Sequence, residues 1–306
     1  MGSPPIAKVI LEHLVAKGLN PSLVVSQTPK AVGRGQAIRG TAVAQWASER
    51  GFELFETDNI NSDEGLSRLK LANPDVIIVV AFGQILKESV LETPQLFCVN
   101  VHASLLPKYR GAAPVQRAIE NGDEITGVTI QKMVRKMDAG DIVLQKSIGI
   151  SLSDTSETLL QKLSGLGADA LVEAMTLLES GNYQLTPQDQ SQVTMAPKLD
   201  KSESPIDWNQ PASRIQCKIR ALQPWPIAEA ILDGKRLKIL ESSESPSMGV
   251  KSPGALETDH KSYLRVHCGD GTMLSLDLVQ WENRKRIDIK GFLQAYRGQF
   301  PFKSFQ

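Results

Sequence analysis

The chain lacks the features that mark several common protein classes. Its 306 residues include three cysteines and four histidines. Cys98, Cys217 and Cys268 are far apart and odd in number, which suits neither a disulfide framework nor a zinc site and fits a reducing compartment. No metal is expected. No apolar run approaches the roughly 18 residues of a membrane-spanning helix, and no secretory signal opens the chain. Net charge is missing too: 34 Lys plus Arg balance 34 Asp plus Glu. That excludes a uniformly basic nucleic-acid binder and leaves only local basic patches. No Gly-x-Gly-x-x-Gly follows a strand-like run, so dinucleotide binding has no support. The length suits two domains, each with its own core.

What is present centres on residues 97–114. Residues 97–101 read as a short β-branched strand, into which Asn100 and His102 intrude. Side chains two apart on a strand share a face, so an amide and an imidazole point the same way at the strand's C-terminal end. In open parallel sheets ligands bind at that end. A neutral N–H donor beside a group that exchanges a proton near neutral pH suits a carbonyl becoming a tetrahedral oxyanion. The alternative is a hydrogen-bonded core histidine beside a turn-forming Asn.

Around this stretch, strands alternate with helices. Residues 6–18 read as an amphipathic helix closed by Gly18. Strands are expected at 22–26, 52–55 and 75–81, helices at 41–50 and 62–72. The continuous apolar run 75–81 marks a central parallel strand. Two further strands are expected at 127–133 and 142–148, with a helix from Asp154 to about 179. This is an α/β domain of doubly wound, Rossmann-like type. Residues 181–205 are polar and read as a linker. Beyond them, short strand-like pieces with turns at Asp233-Gly234 and Asp270-Gly271 suggest a small barrel over 206–306. Trp225 is expected in its core. Basic residues gather at Lys30, Arg34 and Arg39, and again at Arg284, Lys285, Arg286, Lys290 and Arg297.

The run Asn100-Val101-His102-Ala103-Ser104-Leu105-Leu106-Pro107-Lys108-Tyr109-Arg110-Gly111 resembles the signature of enzymes that transfer or release the formyl group of 10-formyltetrahydrofolate. Its continuation Ala112-Ala113-Pro114 is similar to the methionyl-tRNA formyltransferase branch, as is Thr126-Gly127-Val128-Thr129-Ile130 leading to Met137-Asp138-Ala139-Gly140-Asp141. The resemblance implies a formyltransferase catalytic domain over 1–180 and an OB-like tRNA-binding barrel over 206–306. It implies catalytic roles for Asn100, His102 and Asp138; a carboxylate beside a histidine favours the cationic ring. It also implies folate contacts from Phe82, Gly83, Gln84, Ile85 and Leu86 and from Ser104, Leu105, Leu106 and Pro107. Arg34, with Arg39, would bind tRNA, in a loop with fewer basic residues than the family pattern. The implied co-substrate is 10-formyltetrahydrofolate and the implied partner is initiator methionyl-tRNA, handled by a cytoplasmic monomer. Acceptors of other formyltransferases, a formyltetrahydrofolate hydrolase and a non-catalytic tRNA-binding relative stay open. In the family a strand precedes the turn that Met1-Gly2-Ser3-Pro4-Pro5 resembles, so the chain is expected to start one strand late, leaving strand edges bare.

Overall fold

The computed structural model describes residues 1–32, 37–246, 249, 251–296 and 300–305. Arg34 and Arg297 lie outside the described residues. Two compact units form. The first comprises residues 1–114, 125–149 and 160–196; the second comprises 115–124, 150–159 and 197–306.

The elements of the first part of the chain are α1 (Pro5–Ala16), β1 (Val24–Ser26), β2 (Lys30–Val32), β3 (Ala37–Arg39), α2 (Ala42–Glu49), β4 (Leu54–Glu56), α3 (Asp63–Ala72) and β5 (Val76–Val79). There follow α4 (Glu88–Leu91), β6 (Phe97–His102), α5 (Pro114–Asn121), β7 (Ile125–Lys132), β8 (Ile142–Gly149) and α6 (Ser156–Ser180). Helix starts follow capping chemistry. Thr41 and Ser62 accept from the backbone N–H groups of Ala44 and Gly65, satisfying donors that a first turn leaves free. Asn73, left-handed at φ 41°, ends α3. The stretch read as a plain loop after β1 contains the antiparallel hairpin β2–β3, which places Lys30 directly opposite Arg39.

Strands β1 and β4 pair in parallel as one sheet, and β5-β6-β7-β8 form another. Within the second, β5 and β6 are parallel while β6–β7 and β7–β8 are antiparallel. Among the described residues, the first two of the chain bridge the two sheets. Gly2 N–H donates to Val25 O at 3.0 Å, and Val80 N–H donates to Met1 O at 2.9 Å. Beyond them is a cavity of about 1030 Å³, lined by Ala7, Ile10 and Leu14 of α1, Val25 of β1, Ile77 and Ile78 of β5, and Leu178 of α6.

The second unit carries α7 (Ala212–Ala221), β9 (Glu229–Leu232), β10 (Lys235–Ser245), β11 (Leu256–Thr258), β12 (Leu264–His267), β13 (Met273–Trp281), β14 (Ile287–Asp288) and α8 (Ile289–Gln294). Its antiparallel sheet runs β11-β12-β13-β10-β9, with β14 also paired to β13. Asp233 and Gly234, both at positive φ, close the two-residue hairpin between β9 and β10, as a type I′ turn requires. Leu237, Ile239, Leu264, Val266, Leu276 and Val279 form its buried face, and α7 packs against β10 and β13. Trp225 is not in that core: it is 51% exposed.

The amino group of Met1 is buried and donates to Ile78 O at 2.6 Å. Burial lowers its pKa from 8.0 to about 6. Between those values the unfolded chain binds more protons than the folded one, so stability rises with pH across this window, by at most about 3 kcal/mol. Urea unfolding at both ends of the window measures this; a midpoint that does not rise with pH contradicts it.

Candidate active site

The site is assembled at the C-terminal ends of β5 and β6. Strand β6 pairs with β7 so that Asn100 stands opposite Gln131 and His102 opposite Thr129. Asn100 and His102 therefore share one face, as their spacing predicts. Asp138 arrives from the turn between β7 and β8, where its backbone is left-handed at φ 49°.

Asp138 and His102 meet directly, and Asn100 is joined to Asp138 through Gln131. Asp138 Oδ2 lies 3.7 Å from His102 Nδ1 and accepts a hydrogen bond from Gly111 N–H at 2.9 Å. His102 is buried, and its Nε2 lies 2.9 Å from Tyr109 O. A carbonyl only accepts, so Nε2 carries a proton. With Nδ1 facing Asp138, the ring has an acceptor toward each nitrogen. Asn100 Nδ2 donates to Val79 O at 3.1 Å, and its Oδ1 accepts from Gln131 Nε2 at 3.2 Å. An amide nitrogen has two N–H groups, which leaves Asn100 a second donor for a ligand.

The loop from Ser104 to Gly111 is anchored from three directions. Thr129 Oγ donates to Ser104 O and accepts from Leu106 N–H, and Gln145 Nε2 donates to Leu106 O. Ser104 is fully buried and donates to Lys108 O. Tyr109 N–H and Arg110 N–H reach Thr194, through its hydroxyl and its carbonyl. Arg110 itself is buried, with Nε and Nη2 both donating to Gln188 Oε1. Residues 186–196, in the stretch read from the sequence as a linker, thus run alongside the site within the first unit.

The loop after β5 is divided between core and solvent. Phe82 and Leu86 are buried in the hydrophobic core with Val79 and Val90, whereas Ile85 is 84% exposed. Gln84 spans to β4's exit, accepting from Ile60 N–H and donating to Thr57 O. Gln27 Nε2 donates to Phe82 O and its Oε1 accepts from Lys30, linking this loop to the base of the β2–β3 hairpin. Ile85, Gly83 and the half-buried Leu105 and Pro107 are open to a ligand; the side chains of Phe82, Leu86, Ser104 and Leu106 are committed to the interior. Arg39 is exposed at the end of β3, and Arg34 lies outside the described residues.

Sequence reasoning missed Gln131 and Gln188. Gln131 had a signal: a buried polar residue within the apolar run of β7. Gln188 had none, because nothing local distinguishes it from its polar neighbours. Among the described residues, no group of His, Cys, Asp or Glu gathers as metal ligands.

Such a cluster, a neutral amide and a histidine backed by a carboxylate at a strand end, belongs to acyl-transfer chemistry. Comparison with known proteins makes the class specific. The formyl transferase family model matches residues 1–175, and that of the formyl transferase C-terminal domain matches 198–297. The methionyl-tRNA formyltransferase of Agathobacter rectalis is 40% identical over 96% of this chain and 95% of its own length. That of Macrococcus caseolyticus is 39% identical over 100% of this chain and 97% of its own. Among solved structures, the sugar 3N-formyl transferase WlaRD aligns with TM-score 0.68 at 18% identity, over 93% of this chain and 97% of that one. An N-formyltransferase from Helicobacter canadensis aligns with TM-score 0.69 at 19% identity, over 90% of this chain and 96% of its own. The chain belongs to the formyl transferase family.

Gly111 places its N–H on Asp138 at φ 128°, and a Cβ there would come within 2.6 Å of Ala196 O. Gly111→Ala is expected to cost about 3 kcal/mol in urea unfolding, from strain and overpacking together. Unchanged stability contradicts this packing.

Proposed function

We propose that this protein transfers the formyl group of 10-formyltetrahydrofolate to the α-amino group of methionine on initiator tRNA. Two supports converge: about 40% identity to methionyl-tRNA formyltransferases along nearly the whole chain, and the contact of His102 with Asp138 at the strand end that also carries Asn100, which Gln131 joins to Asp138. That convergence carries the reading, because the chemistry needs those three groups around one carbon.

The neutral amine attacks the formyl carbon. A C–N bond forms, the carbonyl becomes an oxyanion, and collapse breaks the bond to N10 of the folate. The proton lost by the amine ends on N10. The free N–H of Asn100 stabilises the oxyanion. Cationic His102 adds positive charge beside it, and Asp138 keeps the ring charged and oriented. The carboxylate also offers a place for the amine proton on its way to N10. The exposed surface at Gly83, Ile85, Leu105 and Pro107 would hold the pterin. Phe82, Gln84, Leu86, Ser104 and Leu106 act as the frame that shapes this surface.

The tRNA would meet Lys30 and Arg39 of the β2–β3 hairpin together with Arg34, and the exposed Arg284, Lys285, Arg286 and Lys290 of an OB-like C-terminal domain. Such binding is salt-sensitive, because phosphate contacts release counterions. The substrates put the enzyme in the cytoplasm, and a monomer suffices for the site, which draws on residues of one chain.

We further propose that the gap between β1 and β5 is a strand position. Gly2 pairs with Val80 in parallel register, and a chain continued backward from Met1 in that direction would enter the cavity, where Ile10, Leu14, Val25, Ile77 and Leu178 are among the lining residues. An apolar strand there would join the two sheets into one and convert the buried amine of Met1 to an amide. Mass spectrometry of the amino terminus of the protein from its native cells tests this. Apolar residues before Met1 are expected; a native terminus at Met1 or Gly2 overturns it.

For the reaction, Asn100→Ala and His102→Ala are each expected to lower kcat by about 10² to 10³, with folate binding changed little. Formylation of charged initiator tRNA, assayed beside nucleotide-sugar amines and water as acceptors, measures this. Near-normal kcat in either variant removes these roles, and preference for another acceptor removes the tRNA assignment.

A further inference from the structure

We propose that Gln131 is a positioning residue that sets which end of the Asn100 amide faces the substrate, and that two ions fix its own direction. This rests on the catalytic roles proposed above. A carboxamide is nearly symmetric in shape but opposite in polarity at its two ends. Turned by 180°, Asn100 would present an oxygen to a developing oxyanion and repel it. Something must choose between the two.

The hydrogen bonds supply the choice. Gln131 is buried directly opposite Asn100 across β6 and β7. Its Nε2 is 3.2 Å from Asn100 Oδ1 and 3.0 Å from Asp138 Oδ1. An ionised carboxylate only accepts, so Asp138 draws the NH₂ end of Gln131 toward itself. The second N–H of that group then falls on Asn100, whose oxygen must turn inward to accept it. Asn100 Nδ2 is thereby directed to Val79 O and outward.

A second ion enforces the same direction from the far side. The guanidinium of Arg110 only donates, and it binds Gln188 Oε1 twice, at 3.0 and 2.7 Å. The NH₂ end of Gln188 must then face the turn, where it donates to Asp138 O at 2.9 Å and Gly140 O at 2.7 Å. That end also faces Gln131 Oε1, at 3.5 Å. Reversing Gln131 would set two NH₂ groups against each other and leave Asp138 Oδ1 facing an oxygen. The three amide side chains, Asn100, Gln131 and Gln188, thus have one consistent arrangement, set by the buried cation of Arg110 and the carboxylate of Asp138. The charge of Asp138 has a use beyond His102: it orients Asn100 through Gln131.

The test is Gln131→Glu, which keeps shape and reverses the donor, alongside Gln131→Met, which keeps length and removes it. Near pH 8, Gln131→Glu is expected to lower kcat by about 10² or more, the effect of losing an oxyanion donor, with KM for 10-formyltetrahydrofolate within about threefold. Its kcat relative to the parent protein should rise as pH falls, because the protonated acid can donate again; Gln131→Met should lower kcat at every pH without that recovery. Because the parent is assayed in parallel, an inactive parent defeats the proposed reaction, while an active parent with active variants defeats this inference alone. A loss in Gln131→Glu that does not vary with pH, or one confined to KM, also overturns it. Should the variants not fold, the side-chain amide NMR signals of Asn100 and Gln131 in the parent decide. They should exchange slowly and shift together in Asp138→Asn; fast exchange, or signals indifferent to Asp138→Asn, overturns the relay.

Discussion

The antiparallel pairing of β6 with β7 is the constraint on which the site depends. It sets Asn100 against Gln131 and His102 against Thr129. A slip of one residue would send Gln131 and Thr129 to the face opposite Asn100 and His102. From that register follow the anchoring of the 104–111 loop through Thr129 and the arrival of Asp138 at the end of the β7 hairpin. Ladder hydrogen bonds and the buried faces of Val99, Val128 and Ile130 hold the pairing.

Polar groups gather at this corner, Arg110, Gln131 and Gln188 buried and Asn100 and Asp138 half-buried, and each has a partner. Arg110, Gln188, Gln131, Asn100 and Asp138 form one connected set. Burying any of them alone would cost more than it returns, because an unpaired polar group loses its hydration without replacement. Together they make a rigid frame that leaves specific donors open, and rigidity in advance of substrate is what oxyanion stabilisation requires. The same logic explains the close fit of Gly111 against Ala196, where no side chain could be accommodated.

The amino-terminal edge follows a different physics. The edges of two sheets lie on either side of a cavity lined partly by apolar side chains, with Met1 and Gly2 bonded to both edges. The first helix keeps its amphipathic packing, with Ala7, Ile10 and Leu14 buried, so the domain does not need the gap filled to build α1. The cost falls on the strand edges and on the buried amine of Met1.

Much of this was legible in the sequence. Alternation placed Asn100 and His102 on one face, and the apolar run at Val76–Val79 marked a central strand. The helices began and ended close to their cap residues. These are local properties: they depend on side-chain period and on a few capping bonds. Other features were not legible. The β2–β3 hairpin lacks an apolar alternation to announce it. Trp225 looked like core because tryptophan usually is, yet its exposure is decided by what packs beside it. The intervening polar stretch read as linker because its composition is polar, although Gln188 and Thr194 spend that polarity on Arg110 and on the loop at Tyr109.

By itself, then, the sequence determined the two-domain division into α/β and β-rich parts, the strand that carries Asn100 and His102, and the family to which the chain belongs. The resemblance implied Asp138 beside His102; tertiary structure alone decided that Gln131 joins Asn100 to Asp138 and that Gln188 meets Arg110 from 78 residues away. The reason is physical. Strand period and capping act over a few residues of chain, whereas the direction of a buried amide is chosen by charges that only folding brings beside it.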